Sequence, residues 1–77
     1  MSIEEKLIKR LMELNDTSPG DENYGISYNP KDKTVEIIKY RFGHLSEVQE
    51  VFCKREEINR NILIPKLLQR GYSYLGI

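Results

Sequence analysis

The sequence predicts a single α+β domain in which an N-terminal helix, a three-stranded antiparallel meander and a C-terminal helix follow one another. Apolar residues recur at helical spacing near both ends of the chain, whereas polar and apolar residues alternate in the middle. A turn sequence over residues 29–32 separates two of the alternating segments. The chain has 77 residues, enough for one small core, so we expect residues 1–77 to form one unit.

The first helix is predicted to begin just after Ser2 and to end near Asn15. Ser2 and Glu5 have the spacing of a capping box, in which each side chain accepts a backbone N–H of the other residue. Apolar residues at helical spacing then form a stripe: Ile3, Leu7, Ile8, Leu11, Met12 and Leu14. Acidic residues on the polar side favour a helix that faces a core over one that lies on a membrane.

The next two elements are predicted to form a hairpin. Residues 16–23 are turn formers and acids, which indicates a solvated loop. Residues 24–29 alternate between large apolar and small polar side chains and therefore predict strand 1. Pro30 suits the first central position of a type I turn, so strand 2 follows directly.

Strand 2 carries two different rows of side chains. One row contains Val35, Ile37, Lys39 and Arg41, and the opposite row contains Glu36, Ile38, Tyr40 and Phe42. The second row is the longer apolar run, so we expect it to face the helices and Lys39 and Arg41 to face solvent. The apolar start of the first row indicates a central strand, covered on both sides.

The segment 46–54 fits two structures. A capping-box pattern begins at Ser46, and Val48, Val51 and Phe52 have helical spacing. Apolar residues at alternating positions fit a third strand equally, and the short Gly-His-Leu connection before them suits a hairpin. We favour the strand, because a two-stranded sheet is marginal by itself, and the helix stays the open alternative.

The C-terminal segment is predicted to be a helix that kinks or restarts at Pro65, where the proline ring removes a hydrogen bond. Glu56 and Glu57 favour a helix start, since negative charge stabilises the N-terminal end of the helix dipole. Apolar residues continue at helical spacing: Ile58, Ile62, Leu63, Leu67 and Leu68. Gly71 after a basic residue indicates the helix end, and residues 72–75 then form a short strand or a tail.

The residues that usually carry chemistry are scarce. Cys53 is the only cysteine and His44 the only histidine, so an internal disulfide is excluded, and a structural zinc site, which needs four Cys or His ligands, is not expected. A catalytic pair would require adjacent strands to bring these two residues together, and a small buried thiol is the simpler interpretation. The glycines are scattered and form no phosphate-binding loop. We therefore expect no enzyme activity, metal or cofactor.

The charge balance restricts the partners. Twelve basic and twelve acidic residues cancel, which argues against bulk attraction to nucleic acid or anionic lipid. Residues 1–30 contain six acids and three bases (net −3), so residues 31–77 carry +3 and offer a modest basic patch. No apolar run approaches the roughly 20 residues needed to span a bilayer, and the N-terminus lacks a signal-peptide pattern. We expect an intracellular, cytoplasmic protein with a reduced thiol.

Two surfaces are candidates for binding. The first is a platform for phosphates and stacked bases, formed by Lys31, Lys33, Lys39 and Arg41 with Tyr24 or Tyr28. This stretch does not match the RNP1 pattern of RNA-binding sheets, and a half-buried strand must in any case turn polar residues outward. The second is the uncharged edge of strand 1, which is open to pairing with another strand.

These surfaces predict a small non-enzymatic binding or regulatory protein. It would act on another protein, or on a second copy in a homodimer, through its sheet surface or a strand edge. Weak nucleic-acid binding through the basic residues of the hairpin is the alternative.

Overall fold

The structure, a computed structural model, describes residues 1–41 and 44–77. Its elements are α1 (Ile3–Thr17), β1 (Glu22–Asn29), β2 (Thr34–Arg41), β3 (His44–Lys54), a 3₁₀ turn (Arg55–Glu57), α2 (Arg60–Arg70) and β4 (Tyr74–Leu75). The strands form one sheet in the order β3-β2-β1-β4, antiparallel except for the β1–β4 pair. The α+β class and the flanking helices are confirmed. The three-stranded antiparallel sheet is wrong in part, because a fourth, parallel strand is added.

Helix α1 begins at the predicted capping box and extends two residues beyond the predicted end. The backbone N–H of Glu5 donates to the Ser2 hydroxyl at 3.1 Å, and the Glu5 carboxylate accepts the Ser2 N–H at 3.4 Å. Near the other end, the Asn15 side chain donates to the Leu11 carbonyl and accepts the Tyr24 N–H at 2.9 Å. Asn15 thereby joins the end of α1 to the first strand.

The core shows which side of the sheet faces the helices. Val35 and Ile37 are fully buried and belong to the same cluster as Leu7, Leu11, Leu63 and Leu67 of the two helices. The prediction that the opposite row faces the helices is therefore wrong. We call this side, which also carries Tyr24 and Ile26 of β1, the helix face.

The error comes from counting apolar residues along the whole strand. The helices cover only part of β2, and exposure rises along the helix-facing row. Val35 and Ile37 are 0% exposed, and the side chains of Lys39 and Arg41 are 23% and 62% exposed. The basic residues thus share a face with the core but lie beyond most of its cover. The inward orientation predicted for Phe42 lies outside the described residues.

Strand β3 resolves the ambiguity of segment 46–54 in favour of a strand. It has 11 residues against the 8 of β2 and pairs with that strand through register shifts. Gln49 and Phe52 are skipped in the pairing, as happens at β-bulges. Strand β3 is first in the strand order and so forms one edge of the sheet.

The predicted edge of strand 1 is wrong, because the C-terminal segment covers it. The Ile26 N–H donates to the Ser73 carbonyl at 3.0 Å, and β4 pairs with residues 26–27. Gly25 permits this approach, since a Cβ at that position would lie 2.7 Å from the Ser73 carbonyl oxygen. The Tyr40 hydroxyl, 2.7 Å from the Ser73 hydroxyl, secures the same segment.

Helix α2 begins later than predicted and does not restart at Pro65. The acidic pair Glu56 and Glu57 lies in the 3₁₀ turn, and Asn59 caps the helix by accepting the Asn61 N–H at 3.0 Å. One helix then runs from Arg60 to Arg70 and includes the proline. It ends at Gly71, whose φ of 73° is the left-handed conformation that favours glycine.

Candidate binding surfaces

The predicted basic patch is divided between the two ends of the hairpin. Lys31 and Lys33 lie in the β1–β2 turn, whereas Lys39 and Arg41 lie near the far end of β2. At about 3.3 Å per residue, Lys33 and Arg41 are separated by roughly 25 Å. The structure therefore does not bring the four residues together.

Lys39 and Arg41 are each engaged by a carboxylate on a neighbouring strand. The Lys39 ammonium lies 3.0 Å from a carboxylate oxygen of Glu47, its cross-strand partner on β3. The Arg41 Nε donates to Glu22 on β1 at 2.7 Å. Hydrogen bonding to these carboxylates raises the pKa of both basic groups. Each basic group is therefore already paired with a carboxylate, which a phosphate would have to displace.

The two predicted tyrosines have different environments. Tyr24 is buried in the core at 9% exposure, so it offers no surface for a stacked base. Tyr28 is half-buried and lines a surface cleft with Lys33, Lys54 and Arg55. Two acids, Asp32 and Glu56, line the same cleft and offset most of its positive charge.

This cleft joins two predicted residues with two that the sequence interpretation missed. Lys54 and Arg55 lie about 20 residues after Lys33, and strand pairing of Lys54 with Thr34 brings them close. The Arg55 N–H donates to the Lys33 carbonyl at 2.9 Å, and its guanidinium donates to the Ile58 carbonyl at 3.0 Å. No local sequence signal marks such a neighbourhood, because it depends on the register of β3.

A further candidate surface is the side of the sheet opposite the two helices. Both helices contribute to one core cluster on the helix face. Strand pairing places the following residues on the other side, which we call the open face: Asn23, Gly25, Ser27, Asn29, Thr34, Glu36, Ile38, Tyr40, Val48, Val51, Lys54 and Leu75. Val48, Val51 and Leu75 are 54%, 58% and 59% exposed. Among the described residues, no helix covers this side.

Two of the rows that cross the strands on the open face contain its exposed aliphatic residues. One row runs from Val48 through Ile38 to Gly25. The second row runs from Val51 through Glu36 and Ser27 to Leu75. Exposed aliphatic side chains thus lie at both margins of the sheet, with Ile38 and the Glu36 carboxylate between them.

The bulges of β3 explain why two valines share the open face. Val48 and Val51 are three residues apart, so a regular strand would point them to opposite sides. Because Gln49 is skipped, Val48 pairs with Ile38 and Val51 pairs with Glu36, both on the open face. The helical spacing seen in the sequence was therefore the signature of a bulged strand.

The acids of β3 point to the other side and are engaged there. Glu50 accepts two hydrogen bonds from the Arg10 guanidinium of α1, the shorter at 2.8 Å. Glu47 pairs with Lys39, as described above. The outer margin of β3 consequently presents aliphatic residues on the open face and neutralised acids on the helix face.

Glu36 contrasts with these acids. It is half-buried in the middle of the open face, where the Asn29 amide donates to its Oε2 at 3.3 Å. The ion pairs found within residues 1–41 and 44–77 do not include it. Its Oε1 accepts no hydrogen bond from the described residues.

The catalytic Cys–His pair considered from the sequence is wrong. Cys53 and His44 lie near opposite ends of the same strand. Their partners on β2, Val35 and Arg41, are six residues apart, so at about 3.3 Å per residue the two backbones are separated by roughly 20 Å. Burial raises the pKa of the Cys53 thiol to about 11, which disfavours the reactive thiolate. The described part of the chain also contains no group of three or more His, Cys, Asp or Glu residues arranged to hold a metal ion.

Comparison with known proteins gives no relative: no protein family, no curated protein and no solved structure matches this chain. Neither of the helices described above is long and apolar enough to cross a membrane.

Proposed function

We propose that the protein is a small non-enzymatic binding module that recognises another polypeptide chain through the open face. The observation that carries this proposal is that Val48, Val51 and Leu75 are more than half exposed on a side of the sheet that neither helix of the described residues covers. Exposed aliphatic residues are ordinary when they are scattered. Here they border one side of the sheet, with the half-buried Tyr40 and the buried Ile38, which is 6% exposed, between them.

The size of the open face indicates the kind of complex. Three strands about 4.8 Å apart and about eight residues long, with the two residues of β4 beside them, give a face of roughly 15 by 25 Å, or about 400 Å². Stable complexes bury about 800 Å² on each partner, so the open face alone suits a transient partner. A longer-lived complex would also use the outer edge of β3, where an added strand can form main-chain hydrogen bonds.

Weak nucleic-acid binding is the second candidate, and it would have to use a different set of residues from the one predicted. The cleft of Tyr28, Lys33, Lys54 and Arg55 combines an aromatic ring with three basic side chains. The acids that line the same cleft repel a polyanion, so we rank nucleic-acid binding below polypeptide binding at the open face.

Paired surface variants test the proposal. The Val48→Asp/Val51→Asp double variant places charge on the open face, and Leu68→Asp is the matched control, since Leu68 is 62% exposed on α2. Proteins retained from an extract of the source cells by the wild type and by Leu68→Asp, but lost with the double variant, would support the proposal. Sedimentation of the purified chain gives its oligomeric state and so shows whether the partner is a second copy of the chain or a different protein.

Two results would contradict it. The double variant would retain the same proteins as the wild type, or nuclease treatment would release everything that the wild type retains. In the second case, Lys54→Ala and Arg55→Ala should weaken retention, which would favour the nucleic-acid alternative.

A further inference from the structure

We infer that the occupant of the open face is an amphipathic helix of another protein, which places a lysine or arginine among aliphatic residues opposite Glu36. This inference rests on the proposed function and specifies its partner. Glu36 lies in the row between Val51 and Leu75, so a partner that contacts these aliphatic residues also covers its carboxylate. Removing water from a carboxylate without supplying a hydrogen-bond or ion-pair partner is strongly unfavourable.

The hydrogen bonding of Glu36 leaves room for a cation. The only hydrogen bond to its carboxylate within the described residues is the 3.3 Å contact from Asn29 to Oε2. That amide is shared with Asp32, whose Oδ2 lies 3.2 Å away. A guanidinium or ammonium from the partner would therefore complete the coordination of Glu36 as the partner displaces water.

The helix face already contains the arrangement that we infer. Helix α1 places Leu7 and Leu11 in the core, and Arg10 on the same helix reaches the carboxylate of Glu50 on the sheet at 2.8 Å. Glu50 and Glu36 belong to neighbouring positions of the β2–β3 ladder, one on each side of the sheet. The sheet thus presents a carboxylate on both faces, and a helix with a basic residue meets only one of them.

A second copy of the chain meets this requirement less well than a basic partner does. Stacking two open faces would bring a second Glu36 toward the first. Lys54, which pairs with Thr34 at the end of β2, is the only basic residue among the described residues of that side. Like charges in a desolvated contact oppose association, so a different, basic chain fits better.

The spacing of the rows indicates where the basic residue lies in the partner. One strand spacing of about 4.8 Å separates Val51 from Glu36, and two spacings of about 10 Å in total separate Glu36 from Leu75. On a helix lying across the strands, positions i, i+4 and i+11 share one face and span about 6 Å and 16 Å. We therefore expect aliphatic residues at i and i+11 and a lysine or arginine at i+4.

The probe is a set of synthetic helical peptides with this aliphatic pattern, which differ only at i+4, where they carry Arg, Lys, Gln or Glu. Fluorescence anisotropy gives the affinity of each peptide for the wild type, Glu36→Gln, Glu36→Lys and Val51→Asp. We expect the wild type to bind the Arg peptide at least tenfold more tightly than the Glu peptide. That ratio corresponds to the free energy of about one charge-assisted hydrogen bond. Glu36→Gln should abolish the preference and Glu36→Lys should reverse it.

The outcomes separate the inference from the proposed function. Peptides that bind equally whatever their residue at i+4, yet lose binding with Val51→Asp, would overturn the inference and support the proposed function. Self-association of the wild type through this face, with exclusion of the peptides, would likewise overturn the inference and support the proposed function. If Val51→Asp does not weaken peptide binding, the inference is overturned and the open face is not the binding site. If no peptide binds at about 1 mM, the inference alone is overturned.

Discussion

The two faces of the sheet differ in how their apolar and charged groups are satisfied. On the helix face, Val35 and Ile37 are fully buried, and Arg10 meets the carboxylate of Glu50. On the open face, Val51 stays more than half exposed, and Glu36 has no ion-pair partner in the described part of the chain. The difference indicates that the helix face stabilises the fold, whereas the open face leaves aliphatic side chains in contact with solvent.

Shortening one side chain on each face tests whether the two faces contribute differently to stability. Ile37→Ala removes buried methyl groups and leaves a cavity, so it should lower the free energy of unfolding by about 2–5 kcal/mol. That is a large share of the roughly 4–12 kcal/mol expected for a chain of this length. Val51→Ala should cost less than about 1 kcal/mol, because its side chain already contacts water.

Urea denaturation of the two variants gives both values from the shift in midpoint. A loss for Val51→Ala as large as that for Ile37→Ala would mean that the open face belongs to the core. The proposed binding surface would then have to be abandoned.

The sequence predicted the start of α1 but not which face of β2 is buried. Ser2 and Glu5 predicted the start of α1 correctly, because a capping box is a local interaction. The faces of β2 were predicted wrongly, because Val35, rather than Ile38, lies in the core that the helices cover. Alternation shows that two faces exist, but the position of the helices decides which one is buried.

The candidate site was harder to predict than the fold. Val48 and Val51 share a face only because β3 skips Gln49, and a skipped residue cannot be read from one strand alone. The edge assigned to strand 1 failed for a similar reason. Its cover, β4, is a two-residue strand, too short to leave a periodic signal.

Glu4 is buried, which the sequence did not predict. It lies in the first turn of α1, is only 5% exposed, and accepts the Asn59 N–H, at the start of α2, at 2.9 Å. This hydrogen bond lowers the pKa of the Glu4 carboxyl. A buried carboxylate therefore joins the two helices, in contrast to Glu36 on the open face.

The lowered pKa of Glu4 predicts a specific loss of stability in acid. A group with a lowered pKa in the folded state stabilises the fold fully above its ordinary pKa of 4.5. That contribution is lost as the pH falls from this value through the lowered one. Glu4→Gln keeps an acceptor for the Asn59 N–H but removes the charge, so it should cost about 1 kcal/mol at neutral pH.

Unfolding free energies of the wild type and Glu4→Gln between pH 7 and about pH 3 test this prediction. The difference between the two proteins should shrink steadily below pH 4.5. A difference that stays constant with pH would show that the charge of Glu4 contributes nothing to the contact between the helices.

The last prediction changes stability least and compares the two faces through a single chemical reaction. Cys53 pairs with Val35 on the helix face, and burial raises its pKa to about 11. At pH 8 its thiolate fraction should be about a hundredfold or more below that of an exposed cysteine, whose pKa is near 8.5, and alkylation should slow accordingly. Cys53→Ser/Val51→Cys moves the thiol two residues along the same strand to the open face. Iodoacetamide should modify that cysteine at nearly the rate of a short peptide, and equal rates at both positions would mean that the two faces do not differ in exposure.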